Sequence, residues 1–220
     1  AVLFLMIGED HAVSFRVVER VFSEDEKLPT ILLANIYGAP SVEKNLARME
    51  QIIEIAHKRK VNVLVFPELS VTGYIWKSKQ RGEVLDLLAA GENGSIESWL
   101  KNVRDSLTEG EGGLEYIFYG NVRQREGNYY NCTFILNPGI DYRQEEYIYA
   151  KVFLTPIEKD FFKQGTDKRL SIETKWGRFG FLICYDLCFV ELPRQYAFID
   201  KVDAIVTMAA WHSQAVREYA

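Results

Sequence analysis

Three short segments carry side chains whose type and setting suit catalysis. In Phe66-Pro67-Glu68-Leu69-Ser70 a carboxylate stands where an apolar run ends. Ligands collect outside the C-terminal ends of strands in open α/β sheets. A glutamate shielded there by Phe66 and Leu69 has its pKa raised by desolvation, toward proton exchange near neutral pH. The plain alternative is a solvated loop acid. In Tyr149-Ala150-Lys151-Val152-Phe153-Leu154 a lysine is flanked by aromatic and aliphatic residues. It is either a functional cation or an edge-strand lysine that blocks unwanted pairing. Glu158, on the segment that follows, is placed to pair with it or with other site groups. In Gly180-Phe181-Leu182-Ile183-Cys184-Tyr185-Asp186 an apolar strand ends in a cysteine and turns into a helix. Such a corner presents the serine of hydrolase nucleophile elbows. It exposes the side chain and aims backbone N–H groups that lower a thiol pKa and hold an oxyanion. The alternative is an inert buried cysteine, the common fate of a free Cys, and Cys132 and Cys188 are read that way.

Rival chemistries lack their parts. The chain has no Gly-x-Ser-x-Gly, no Walker A loop and no Gly-x-Gly-x-x-Gly after a strand. A Cys–His pair needs a histidine with a suitable context. His57 lies in a helix tail, His212 is near the end of the chain and His11 stands apart, so Glu68 is the best remaining base for Cys184. The same scatter of histidines, with no Cys-x-x-Cys, makes zinc an unsuitable metal.

The elements that must position these residues alternate. Residues 30–37 read as a buried strand, Ser41 as the N-cap of a helix reaching about Lys60, and 61–66 as a second buried strand. Leu46, Met49, Ile53 and Ala56 recur at helical spacing along that helix. Strand, helix and strand with short joints form a βαβ unit in a covered sheet. The middle is strand-rich, with strands predicted at 114–122, 129–136 and 146–151 between turns at Gly127-Asn128 and Asn137-Pro138-Gly139. A hairpin around Trp176-Gly177 joins 170–174 to 179–184. A short helix follows at 190–199, limited by Pro193, and then a strand at 202–208. Strands with amphipathic helices on both sides imply a layered α/β sandwich. The charged stretch 23–29, ending in Pro29, reads as a linker. It separates an N-terminal extension, residues 1–29, from a main domain, residues 30–220.

Composition bounds the function. The 220 residues are 48% hydrophobic and 26% charged, ordinary for a globular domain. A net charge of −5 argues against a nucleic-acid surface, and the basic run 57–60 suits the end of a helix. Three cysteines without framework spacing argue for a reducing, cytoplasmic setting. In that setting the sequons at Asn93 and Asn131 carry no weight. The apolar start, residues 1–8, is far shorter than the roughly 20 residues of a membrane span and has no basic segment before it.

Taken together, the motifs resemble the nitrilase-like carbon–nitrogen hydrolases. The marks are Phe66-Pro67-Glu68 with Thr72-Gly73-Tyr74, then Tyr149-Ala150-Lys151 with Phe153-Leu154 and Glu158, then Trp176-Gly177-Arg178-Phe179-Gly180 leading into Ile183-Cys184-Tyr185-Asp186-Leu187. Asn45 and Tyr130-Asn131 are weaker marks. The resemblance runs from about Thr30 to Trp211. It implies an α-β-β-α sandwich that pairs into a homodimer, with no metal or organic cofactor. It implies a Glu68–Lys151–Cys184 triad, with Glu158 helping to hold Lys151 and the substrate, and with the Tyr185 N–H sharing the oxyanion with Lys151. Tyr74 and Arg194 are the further candidates for contact with substrate. The implied partner is a small-molecule amide. Tyr185-Asp186 after the cysteine resembles amidases and carbamoylases, whereas nitrilases more often carry Trp-Glu there.

Two departures stand out. Amidase relatives often read Cys-Tyr-Asp-Leu-Arg-Phe-Pro-Glu, whereas Cys188 and Val190 replace the arginine and the proline here. Losing that cation weakens the case for a carboxylate-bearing substrate, and Arg194 is the nearest replacement. Family domains also continue past the strand that ends near Trp211, and residues 212–220 read like the start of a further helix. A longer natural protein is therefore expected. Nitrile hydrolysis by the same triad, and a silent scaffold or an ammonia-supplying subunit, are the competing functions.

Overall fold

Strands with two apolar faces form the centre of the protein. A computed structural model describes residues 2–7, 15–23, 25, 27–36, 38–74, 81–91, 94–108, 113–166 and 168–210. Its first sheet has seven strands: β1 (Val2–Ile7), β2 (Phe15–Arg20), β3 (Ile31–Asn35), β4 (Val63–Val65), β5 (Tyr116–Arg125), β6 (Asn128–Leu136) and β7 (Tyr149–Ala150). They lie in the order β2-β1-β3-β4-β5-β6-β7. The second sheet contains β8 (Ser171–Thr174), β9 (Gly177–Ile183) and β10 (Ala204–Met208), in the order β10-β9-β8.

The βαβ reading holds. Strand β3 runs parallel to β4, with Ile31 opposite Val63, and α1 (Val42–Lys58) crosses between them. Ser41 caps this helix by accepting from the Lys44 N–H at 3.3 Å, while Glu43 in the first turn and His57 and Lys58 in the last suit its dipole. Met49, Ile52, Ile53 and Ala56 bury its inner face. A third helix, α3 (Gly94–Asp105), covers the same face of the sheet through Ile96, Trp99, Leu100 and Val103. Trp99 Nε1 donates to Glu50 of α1 at 2.8 Å. Helix α2 (Arg81–Ala90) buries Val84 and Leu88 beside Leu69, Val122 and Phe162.

Strand alternation sends the other face of the first sheet against the second sheet. Val63, Val65, Phe118 and Ile135 meet Phe179, Phe181 and Ile183 there. Phe118 sits edge-on to Phe181 with ring centroids 4.9 Å apart. The far side of the second sheet is covered by α4 (Glu191–Gln195) and the π turn that continues it over Tyr196–Asp200. Tyr196 packs closely against Gly180 and donates to the Phe181 carbonyl at 2.8 Å. Helix, sheet, sheet and helix make the α-β-β-α sandwich.

Three elements differ from their predicted form. The strand predicted over 146–151 keeps only Tyr149–Ala150, and Glu145–Tyr147 forms a 3-10 turn. The chain leaves the ladder after Lys151 because Asp186 captures the next two backbone N–H groups, those of Val152 and Phe153. The helix predicted over 190–199 is α4 with its π turn. Pro193 is tolerated because it sits in the first turn, where its missing N–H has no intrahelical partner to lose. Strands β1 and β2, to which the sequence assigned no element, extend the main sheet, with β1 parallel to β3. Tyr37 and residues 211–220, where the first strand and a further helix were expected, lie outside the described residues.

Candidate active site

Glu68, Lys151 and Cys184 each stand just beyond a strand end. Glu68 follows β4 on a corner held from three sides. Phe66 N–H donates to the Phe118 carbonyl at 2.8 Å, and Ser70 Oγ to the Gly120 carbonyl at 3.0 Å. Asn45 Nδ2, from α1, donates to the Val71 carbonyl at 2.8 Å. Leu69, next to the carboxylate, is left-handed at φ 49°. For a branched residue that conformation is costly and needs surroundings that enforce it. Gly120 allows the close approach, since a Cβ there would lie 2.4 Å from the Leu69 nitrogen.

Lys151 extends β7 by one hydrogen bond, its N–H donating to the Asn131 carbonyl at 2.8 Å. Its side chain enters the space between the sheets and is fully buried. Nζ donates to Glu68 Oε1 at 2.7 Å and to both oxygens of Glu158, at 2.9 and 2.8 Å. Asn131, on the inner face of β6, bridges the same two acids from its Nδ2, at 2.8 Å to Glu68 and 2.9 Å to Glu158. Backbone N–H groups complete the shell, Ala210 donating to Glu68 Oε2 at 3.1 Å and Thr155 to Glu158 Oε2 at 2.8 Å.

Two carboxyl groups thus share one ammonium inside the protein. Burial pushes Glu68 above the ordinary carboxylate range and the Glu158 charge adds to the rise, while Lys151 and Asn131 pull against it. For Lys151, burial acts to remove the proton, but Glu68, Glu158 and Cys184 together overcome it and raise its pKa. The result is a carboxyl that gives up its proton less readily than in water, beside a cation that holds its own more tightly. Glu68 is not the solvated acid of the plain reading, and Lys151, although it extends the edge strand β7, is buried rather than set at the surface.

Cys184 ends β9 at the opposite sheet, at φ 45°, and opens a 3-10 turn over Cys184–Cys188. Its backbone is left-handed, like that of Leu69, and its side chain is 8% exposed. Its charge contributes to the upward shift of Lys151. The structure therefore brings Glu68, Lys151 and Glu158 into contact, with Cys184 near enough to act on Lys151 through its charge. Tyr74 borders it. Its hydroxyl lies 3.1 Å from Thr155 Oγ1, and burial followed by the charges of Glu158 and Glu68 pushes its pKa up. Tyr185 follows the cysteine with its ring turned outward, edge-on to Phe189 at 5.2 Å. Arg194 is exposed on α4, outside the buried cluster. Cys132 is buried as expected, but Cys188 is exposed, because the 3-10 turn carries it to the surface.

Two surface grooves, of about 550 and 310 Å³, lie along the 159–168 segment and include none of the clustered residues. Among the described residues no group of three or more His, Cys, Asp or Glu is set to hold a metal, and no helix is long and apolar enough to cross a membrane.

Residues 32–220 match the carbon-nitrogen hydrolase family. The chain belongs to that family. It is 27% identical to a probable nitrilase of Schizosaccharomyces pombe over 189 residues, covering 82% of this chain and 64% of the relative. It is also 27% identical to an (R)-stereoselective amidase from a Pseudomonas species over 147 residues, covering 66% of this chain and 47% of the relative. The chain thus spans less than two thirds of each of these relatives. In fold it is similar to a carbon-nitrogen hydrolase from Helicobacter pylori, with a TM-score of 0.69 at 18% identity over 85% of this chain and 63% of that one.

Sequence reasoning named Asn131 and Asn45 only as weak family marks. A signal was present for Asn131. Asn131, Thr133 and Ile135 alternate on one face of an otherwise apolar strand, so an amide at the first position had to meet a buried polar partner. Asn131 also lies in a sequon, but its side chain is buried and its Nδ2 donates to both acids. Gly120, Thr155 and Ala210 carried no local signal, since their roles are close approach and backbone donation across the fold.

Proposed function

We propose that this protein hydrolyses a C–N bond in a small linear amide or N-carbamoyl compound through a thioester on Cys184. Glu68 takes the proton from Sγ, and the thiolate adds to the carbonyl carbon. Lys151 Nζ and the Tyr185 N–H hold the oxygen as it becomes negative. The C–N bond then breaks, the nitrogen leaving as ammonia or amine with a proton returned by Glu68. Water, deprotonated by Glu68, attacks the thioester, releases the acid and restores the thiol. Glu158 and Asn131 keep Lys151 and Glu68 in place, and Tyr74 borders the substrate.

One observation carries this reading: a buried ammonium between two buried carboxylates, with a left-handed cysteine within electrostatic reach of it. Tyr185-Asp186 favours an amide, while the match to a probable nitrilase keeps a nitrile as the second reading. Exposed Leu187, Val190, Phe198 and Ile199 near the elbow support a homodimer, which light scattering would detect. The absence of a disulfide at Cys132, Cys184 and Cys188 suits a cytoplasmic protein.

The test pairs amides, N-carbamoyl compounds and nitriles of matched carbon skeleton and measures ammonia release, with mass spectrometry of the protein during turnover. The expected result is release from an amide or carbamoyl compound, an acyl adduct on Cys184, and no turnover by a folded Cys184→Ala variant. Turnover that survives Cys184→Ala would end the proposal, and release from nitriles alone would decide for the second reading.

A further inference from the structure

The reactive groups come from different sheets. Lys151 extends β7 of the first and Cys184 ends β9 of the second. A single fully buried carboxylate, Asp186, joins the two segments. Its Oδ1 accepts from the N–H groups of Val152 and Phe153, at 3.2 and 2.7 Å, directly after Lys151. Its Oδ2 accepts from the Ile183 N–H at 3.1 Å, directly before Cys184, and from the Tyr149 hydroxyl at 2.8 Å, two residues before Lys151.

We propose that Asp186 is a positioning residue that fixes the Cys184 corner against the Lys151 segment and so sets the distance between thiol and ammonium. This rests on the function proposed above. The chemistry demands a carboxylate. Four donors converge on two oxygens, which fills the acceptor capacity of an ionised acid. An amide in its place turns an NH₂ toward donors and leaves buried N–H groups unpaired. The left-handed backbone of Cys184 persists only where its surroundings over-determine it, and Asp186 supplies that constraint from the residue before and the turn after. Asp186 touches no reacting atom in the proposed steps. It acts through the placement of Cys184 and Lys151.

The test needs no substrate. Cys184 alkylation by iodoacetamide is followed across pH by mass spectrometry of its peptide, in the full chain and in Asp186→Asn and Tyr149→Phe, with thermal melts to check folding. In folded Asp186→Asn, Cys184 is expected to react about tenfold or more slowly, since small misplacements cost large factors. The midpoint of its pH profile should also rise as the thiol moves away from Lys151, while exposed Cys188 keeps its rate. Tyr149→Phe removes one of four donors and is expected to slow Cys184 by a smaller factor, roughly threefold. A folded Asp186→Asn with unchanged Cys184 rate and midpoint overturns the positioning role. If that variant does not fold, an unchanged Tyr149→Phe overturns it instead. A wild-type Cys184 that reacts no faster than Cys132 and Cys188 sinks the nucleophile reading and this one with it. A fast wild type with an equally fast variant sinks this one alone.

Discussion

The space between the two sheets has an apolar end and a charged end, and one strand visits both. Along the inner face of β6, Ile135 joins the cluster of Phe118, Phe179 and Phe181. Four residues earlier, Asn131 binds Glu68 and Glu158. Both ends are closed to solvent, Phe118 at 0% exposure and Lys151 at 1%. Burial therefore does not separate them. At the apolar end, burial is itself the stabilising term. At the charged end, burial costs free energy that only close partners offset. The same enclosure that makes one end cohesive raises the pKa of a carboxyl at the other, beside a cation held by two acids.

Breaking the two ends should cost similar stability but affect turnover differently. The largest effect is expected from Lys151→Met. It leaves Glu68 and Glu158 buried without their cation, at a cost of about 3–5 kcal/mol in urea unfolding, and should also abolish turnover. Phe118→Ala is expected to lose a similar about 3–5 kcal/mol through the cavity it opens, yet the folded fraction should retain most of its turnover. Equal loss of turnover per folded molecule in both variants would erase the distinction between the ends.

Glu68→Gln sharpens the comparison. Turnover should fall by about 10²–10⁴-fold, the range of general acid–base help. The pH dependence of stability tests the cause. Burial raises Glu68 above its ordinary 4.5, so the folded state holds the proton more tightly than the unfolded chain. Its contribution is then full below the unfolded value and is lost as pH rises through the folded one. Lys151, also raised, keeps its proton throughout that window. Wild-type stability should decline relative to Glu68→Gln as pH rises from about 4.5 toward neutrality, and parallel curves in thermal melts would refute the shift. The smallest effect belongs to the surface. Glu145→Gln removes the 3.1 Å pair with Arg123, whose side chains are 53% and 28% exposed, and should change stability by less than about 1 kcal/mol. A larger loss would mean that burial is not what separates the cluster from ordinary ion pairs.

Much of this was legible in local patterns. The α1 stripe, its Ser41 cap, the βαβ unit and the hairpin around Trp176-Gly177 follow from periodicity and turn chemistry, which act over a few residues. Glu68, Lys151 and Cys184 stood out because each breaks or ends an apolar run. The end of β7 was not legible, because its cause is a carboxylate 34 residues away that takes the Val152 N–H. Nor was the part played by β1 and β2, whose place in the main sheet depends on pairing with β3.

By itself the sequence determined which groups were available: one candidate nucleophile at a strand end, two acids, a lysine, and the apolar strands to shield them. Only the tertiary structure decided that Lys151 sits between Glu68 and Glu158, that Asn131 bridges both acids, and that Asp186 spans the segments of Lys151 and Cys184. The physical reason is range. Propensity and patterning are written in neighbouring residues, whereas the energy of a buried charge depends on partners up to 142 positions apart, as between Ala210 and Glu68, that only folding brings within bonding distance.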